Sequence, residues 1–223
     1  MGFPFFTRKR SREEILAEAE RVFGENPSLE EAARHLDREL SRKYAPQFDL
    51  IRQASGEIQR RIEAGEVDRQ SGEAAKGQMA LQVAQAFKAE KTELLHGFEE
   101  GLRHFERGEW EAAFAAFSRT ASGSPLPPAH LALANTADRM DATTADTPDP
   151  EIHYAAALES CRSLPEEREG LGTVLVQTAL YHRKRGNPDR ALPLLREALY
   201  LFKNLGDREK TSRIKNLIRI TPG

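Results

Sequence analysis

Apolar residues recur at three- and four-residue steps along most of the chain, and no stretch alternates strictly enough to read as a strand. Ser11 and Glu14 have capping-box spacing, so a first helix starts there. It carries Ile15, Ala19, Val22 and Phe23 as its stripe and ends at Gly24. Ser28 and Glu31 repeat the box and open a second helix through about Lys43, with Leu29, Ala32, Ala33, Leu36 and Leu40 on its apolar side. These two helices read as a hairpin across GENPS. Pro46 interrupts and restarts the chain. The next helix places Phe48, Ile51, Ile58 and Ile62 at helical spacing and stops near Gly65. A tight turn over Gly65 to Val67 comes next, with Asp68 as the N-cap of the succeeding element. From there Leu81, Val83, Phe87, Leu94, Phe98, Leu102 and Phe105 continue without a proline to Arg107. That is one helix of about 40 residues, roughly 60 Å, with Gly72, Gly77, Gly97 and Gly101 as places to bend.

The stretch GLRHFERGEWEAAFAAFSRTASGSP, Gly101 to Pro125, organises the chain. It reads as a helix end, a turn at Gly108 and a second amphipathic helix closed by Gly123 and Pro125. Ala113 and Phe117 lie one helical turn apart on one face. The small residue admits a neighbouring helix, Phe117 fills the space beside it, and Trp110 adds a large ring. A near-copy, GNPDRALPLLREALYLF, begins at Gly186, 78 residues after Gly108. Gly186, Ala191 and Leu195 stand for Gly108, Ala113 and Phe117. Since 78 is twice 39, the pattern predicts three helix pairs. The middle pair starts near Pro128 with Leu131, Ala134 and Met140 as core candidates. The small, polar DATTADTPD is the loop after it. Asp149 then caps a helix with Pro150 in its first turn, through Leu158 and Cys161. Asn187 and Pro188 repeat that device, and Ser163 with Glu166 opens the helix that runs to Arg185. Ile214, Leu217 and Ile218 line a last helix that covers the open end of a stack.

Composition agrees with stacked helices: charged residues make up 30% of the 223 and aromatics 7%. Net charge is −2, and residues 1–65 hold 12 Lys plus Arg against 12 Asp plus Glu. No half carries the basic excess that phosphate neutralisation needs, which argues against nucleic acid as the ligand. The lone Cys161 cannot staple the chain and lies on an apolar helix side, so it reads as structural and nothing indicates an oxidising compartment. No apolar run reaches the length of a membrane span, and the start lacks the order of a secretory signal, so the chain reads as cytoplasmic. Phe3, Phe5 and Phe6 beside Arg8 and Lys9 allow at most a weak contact with a membrane surface.

Small-x3-large pairs, glycine turns and a closing proline together resemble the tetratricopeptide repeat family over residues 94–220. Gly101, Ala113, Phe117 and Pro125 match its first unit, and Ala179, Ala191, Leu195 and Ala198 match the third, which lacks the closing proline. The middle unit keeps Leu131, Ala134 and Asn135 but lacks the glycine turn and inserts about five residues. His104 and His182 replace the aromatic usual late in the first helix. The resemblance implies an all-α fold: stacked helix-turn-helix hairpins in a right-handed superhelix, preceded by an N-terminal helical hairpin region. The division expected is a tail over 1–10, helical hairpins over 11–93, and the repeat domain with its capping helix over 94–223. It also implies protein recognition in a groove lined by the first helix of each hairpin. Groove-facing positions would be Ala132, Thr136 and Arg139, then Val176, Leu180, Arg183 and Lys184. An apolar floor with a cationic edge suits a partner segment that is acidic and hydrophobic. The family's carboxylate clamp is not supported, because Phe98 and Leu102 occupy its places.

Chemistry is sparse. His96, Glu100 and His104 share a helix face, but the histidines stand about 12 Å apart along it, too far to share one ion. No phosphate loop, HExxH or Gly-x-Ser-x-Gly occurs. His35, His130 and His153 stand apart from any nucleophile. The expectation is a non-catalytic scaffold or adaptor without cofactor or metal, binding a partner peptide or helix. The alternative is a structural protein that self-assembles through the hairpin of residues 47–107.

Overall fold

The computed structural model describes residues 10–123, 126–140 and 148–222. Those residues form nine α-helices and no strand, so the fold is all-α. The chain divides into two compact units, one of residues 28–129 and one joining Met1–Pro27 to His130–Gly223. The division differs from the sequence expectation of a boundary at 93/94. The physical reason is that the helix crossing that point is unbroken, while the first helix packs with the C-terminal ones. Pro125, most of the DATTADTPD loop, and Phe3, Phe5, Phe6, Arg8 and Lys9 lie outside the described residues.

The unit of residues 28–129 is built on two long helices. Helix α2, Leu29–Glu63, starts at a complete Ser28/Glu31 capping box. It buries Ala32, Leu36 and Leu40, while Leu29 stays 37% exposed. Contrary to the expected break, Pro46 lies inside α2. A helix-interior proline costs about 3 kcal/mol, and packing on α3 (Arg69–Glu106) on either side of it offsets that. Before the proline, the Tyr44 hydroxyl donates to Glu90 at 2.9 Å, and the Tyr44 and Phe87 rings meet edge-on at 5.6 Å. After it, the Lys76 ammonium donates to Gln59 at 3.0 Å. Between the two helices Gly65 takes φ 72°, and the Glu66 N–H donates to the Arg61 carbonyl at 2.9 Å, an αL helix end. Asp68 caps α3 through the Gln70 and Ser71 N–H groups. From Ala45 to Thr92 only Gly72 is buried; a Cβ there would lie 2.5 Å from Ile62. Helix α4, Trp110–Gly123, folds back on α3 after Gly108 at φ 74°. Ala113, Ala116, Phe117 and Thr120 are buried, and the Phe98 and Phe117 rings lie 5.3 Å apart.

The other unit holds α1 (Arg12–Phe23), α5 (Pro127–Ala137, from His130 on), α6 (Pro150–Arg162), α7 (Arg168–Lys184), α8 (Pro188–Asn204) and α9 (Arg208–Ile220). Ser11 closes the expected capping box on α1, and Asp149 caps α6 ahead of Pro150. Ser163 does not open α7: its hydroxyl donates to the Ser160 carbonyl at 2.7 Å, and α7 starts at Arg168 with no side-chain cap. Asn187 likewise makes no cap bond, although Pro188 occupies the first turn of α8. Gly186 and Gly206 take φ 76° and 74° at the α7/α8 and α8/α9 turns. The buried set of the α7/α8 hairpin, Ala179, Ala191, Leu195 and Ala198, falls in the register of Gly101, Ala113, Phe117 and Thr120. The left-handed turns at Gly108 and Gly186 share that register too. In each hairpin a glycine on the first helix also faces a phenylalanine on the second, Gly101 with Phe117 and Gly172 with Phe202. On α9, Ile214 and Leu217 are buried and Ile218 partly so.

Candidate partner-binding face

Helix α1 has an apolar stripe that must be covered, and it is covered by α7 and α9. Ile15, Ala19 and Phe23, one turn apart, enter one core with Val174, Leu175, Val176, Ala198, Phe202, Ile214 and Leu217. Phe23 meets Phe202 with ring centroids 6.2 Å apart. At the edge, Arg213 donates to Glu18 at 3.2 Å and Arg10 also pairs with it. Burial works against the Glu18 carboxylate, but those two hydrogen bonds outweigh it and hold its pKa below the usual carboxylate range.

The chain leaves α1 through Gly24–Pro27, which is held by side-chain amides. Gln177 on α7 donates its Nε2 to the backbone carbonyls of Phe23 and Glu25, the latter at 3.0 Å. Asn135 on α5 donates to Asn26 Oδ1 at 2.8 Å and accepts from the Tyr154 hydroxyl at 2.9 Å. Burial raises the Tyr154 pKa, which keeps that hydroxyl a donor. Amides reaching main-chain carbonyls hold a segment without reading its side chains. The face thus carries an amphipathic helix and a short irregular tail, both supplied by the chain itself.

This arrangement corrects three of the seven residues the sequence places at a partner surface, beginning with Ala132, which is fully buried. Thr136 is fully buried, its hydroxyl donating to the Ala132 carbonyl at 2.7 Å. Val176 is fully buried in the core that α1 completes. Leu180 is half-buried against the same core. Half-buried Arg183 reaches the Ile220 carbonyl at 3.5 Å. Burial and the Arg12 charge lower its pKa, against an opposing effect of Glu20. Lys184 pairs with Asp138 at 2.7 Å, and Arg139 is exposed just beyond α5. Sequence reasoning misses Gln177 and α1 itself. It finds Asn135 only as a repeat position; a polar residue amid Leu131, Ala132, Leu133 and Ala134 is the signal that points further.

Outside this face, Cys161 is buried and burial pushes its thiol up to about 12, away from nucleophilic use. His104 pairs with Glu109 and lies 3.8 Å from Glu100, which Arg119 engages at 2.7 Å. Among the described residues no group of three or more His, Cys, Asp or Glu side chains could hold a metal ion. No described helix is long and apolar enough to cross a membrane. No family model, curated protein or solved structure matches the chain.

Three histidines of this unit give it a pH dependence. Burial lowers the pKa of His130, His153 and His182; the charge of His130 lowers His153 further against Asp149, and Glu151 opposes the effect at His182. A histidine with a depressed folded pKa binds fewer protons folded than unfolded, so its contribution is intact above the unfolded value, about 6.5. The contribution shrinks as pH falls below that value toward the folded pKa. Urea midpoints should therefore drop between about pH 7 and about pH 5, and the drop should shrink in a variant with all three changed to Gln. A midpoint flat over that window would refute the assignment.

Proposed function

We propose that the chain is a non-catalytic protein-interaction module of tetratricopeptide-like hairpins, acting in the cytoplasm, that binds a partner's helix or peptide on the face of α5, α7 and α9. The observation that carries this reading is the way the face holds α1 and its tail. An apolar stripe, an ion pair at the edge and amides on main-chain carbonyls form a mode of recognition that any amphipathic helix with a suitable tail could use. The buried residues that recur in one register, Gly101, Ala113 and Phe117 with Ala179, Ala191 and Leu195, support the repeat reading. Rigid hairpins lose little ordering entropy on binding. The cations at the margin of the face, Arg139 and Arg183, favour a partner that is acidic as well as apolar.

The test is co-purification of the tagged full chain with partners from its own cells, comparing the unmodified protein with Arg139→Glu plus Arg183→Glu. Recovery of the specific partner should fall at least about tenfold, a loss of about 1.4 kcal/mol or more. Unchanged recovery of every specific partner would refute the placement of the interface.

A further inference from the structure

The chain's own helix fills this face imperfectly. Gln177 is 3% exposed, yet its Oε1 has no hydrogen-bond partner. Arg183 Nε and Asn26 Nδ2 are also buried without partners. Native interiors satisfy nearly all such atoms, so the two on the face itself, at Gln177 and Arg183, mark polar capacity that α1 leaves unused. The charges agree. Arg12 of α1 is a like charge acting on Arg183, opposed by Glu20 of α1, while among the described residues Arg183 reaches the Ile220 carbonyl at 3.5 Å. Helix α1 supplies a good apolar stripe and a poor set of polar partners.

We propose that α1 with residues 24–27 is a displaceable internal occupant, and that the face takes in its place a partner's amphipathic helix whose extended tail offers an N–H to Gln177 and whose acid reaches Arg183. This rests on the proposed interaction function and adds to it the ligand's chemistry and a built-in brake. The partner helix has apolar residues at i, i+4 and i+8, as Ile15, Ala19 and Phe23 are spaced. It carries an acid where Glu18 meets Arg213, and a second acid in place of Arg12. Free protein keeps α1 docked, so the apolar stripe of α7 and α9 is covered until a better-matched helix arrives.

Two measurements on the full chain decide it. Native-state hydrogen exchange on the unmodified protein should show the amides of residues 15–23 opening at least about a hundredfold more often than those of α7 and α8. Exchange of α1 only at the rate of the α7/α8 amides would overturn the proposal, while leaving the arginine co-purification test free to succeed or fail by itself. The second uses a fluorescent synthetic peptide of residues 11–28 carrying Arg12→Glu. It should bind the Phe23→Ala chain at least about tenfold more tightly than the unmodified chain, because the variant's own α1 competes less well. Adding Gln177→Leu should reverse that gain. Equal affinity for the unmodified and Phe23→Ala chains would overturn the proposal.

Discussion

Phe117→Ala should lower stability by about 3–5 kcal/mol, the range for removing a large buried ring. Phe117 is fully buried, its ring is 5.3 Å from that of Phe98, and it fills the space left by the missing side chain of Gly101. A Cβ on Gly101 would stand 2.5 Å from Phe117 Cε1, too close for any real contact. Gly101→Ala should therefore destabilise despite better helix propensity. The propensity gain is about 1 kcal/mol, while forcing a methyl into a packed ring costs about 1–3 kcal/mol, and Phe98 leaves Phe117 little room to retreat. Gly77→Ala is the control, because nothing lies within 4 Å of its Cβ and only the propensity gain remains. The same substitution on the same helix should thus have opposite signs at the two positions. In the double variant Gly101→Ala with Phe117→Ala, the new methyl enters the cavity, so the losses should fall short of their sum by about 0.5–3 kcal/mol. Urea unfolding followed by circular dichroism reads all four proteins. Strict additivity, or a Gly101→Ala that stabilises as Gly77→Ala does, would show that these two residues do not pack as described.

How legible each feature is in the sequence tracks how local its cause is. Caps at Ser11, Ser28, Asp68 and Asp149 are readable because donor and acceptor lie within four residues. The shared register of the α3/α4 and α7/α8 hairpins is readable because a small residue and a large one at fixed spacing are themselves the packing. Pro46 misleads because its local cost is offset by α3, whose contacting residues lie some forty positions away. Ser163 misleads for a similar reason: buried Leu164 and then Pro165 take the chain into a turn before Glu166 can complete a box. The partner face is half legible. Helix periodicity places Val176 and Leu180 on one side of α7 correctly, but nothing in periodicity says which stripe covers which. The stripe of α1 and the inner side of α7 are each incomplete alone, and only the fold shows that they complete each other.

Phe23 and Phe202 should respond unequally to the same truncation, although both are buried and their rings meet at 6.2 Å. Phe202→Ala removes a ring from the α7/α8 hairpin, where Gly172 is shaped to receive it: a Cβ there would stand 2.7 Å from the ring. That loss should cost about 3–5 kcal/mol, as for Phe117→Ala. Phe23→Ala touches a helix whose docking is a separate equilibrium. Its cost to global unfolding cannot exceed the free energy of docking, because beyond that point α1 leaves and the rest of the unit stays folded. Losing the burial of one large side chain of that helix is worth about 1.5–3 kcal/mol, and the docking free energy caps the loss, so it should stay at about 2 kcal/mol. Limited trypsin digestion separates the two cases. Phe23→Ala should be cut early at Arg12 or Arg21 while α7 to α9 persist, and Phe202→Ala should lose resistance throughout that unit. Equal losses of stability with simultaneous cutting would mean that α1 is an inseparable part of the core, and the internal-occupant reading would fall with that result.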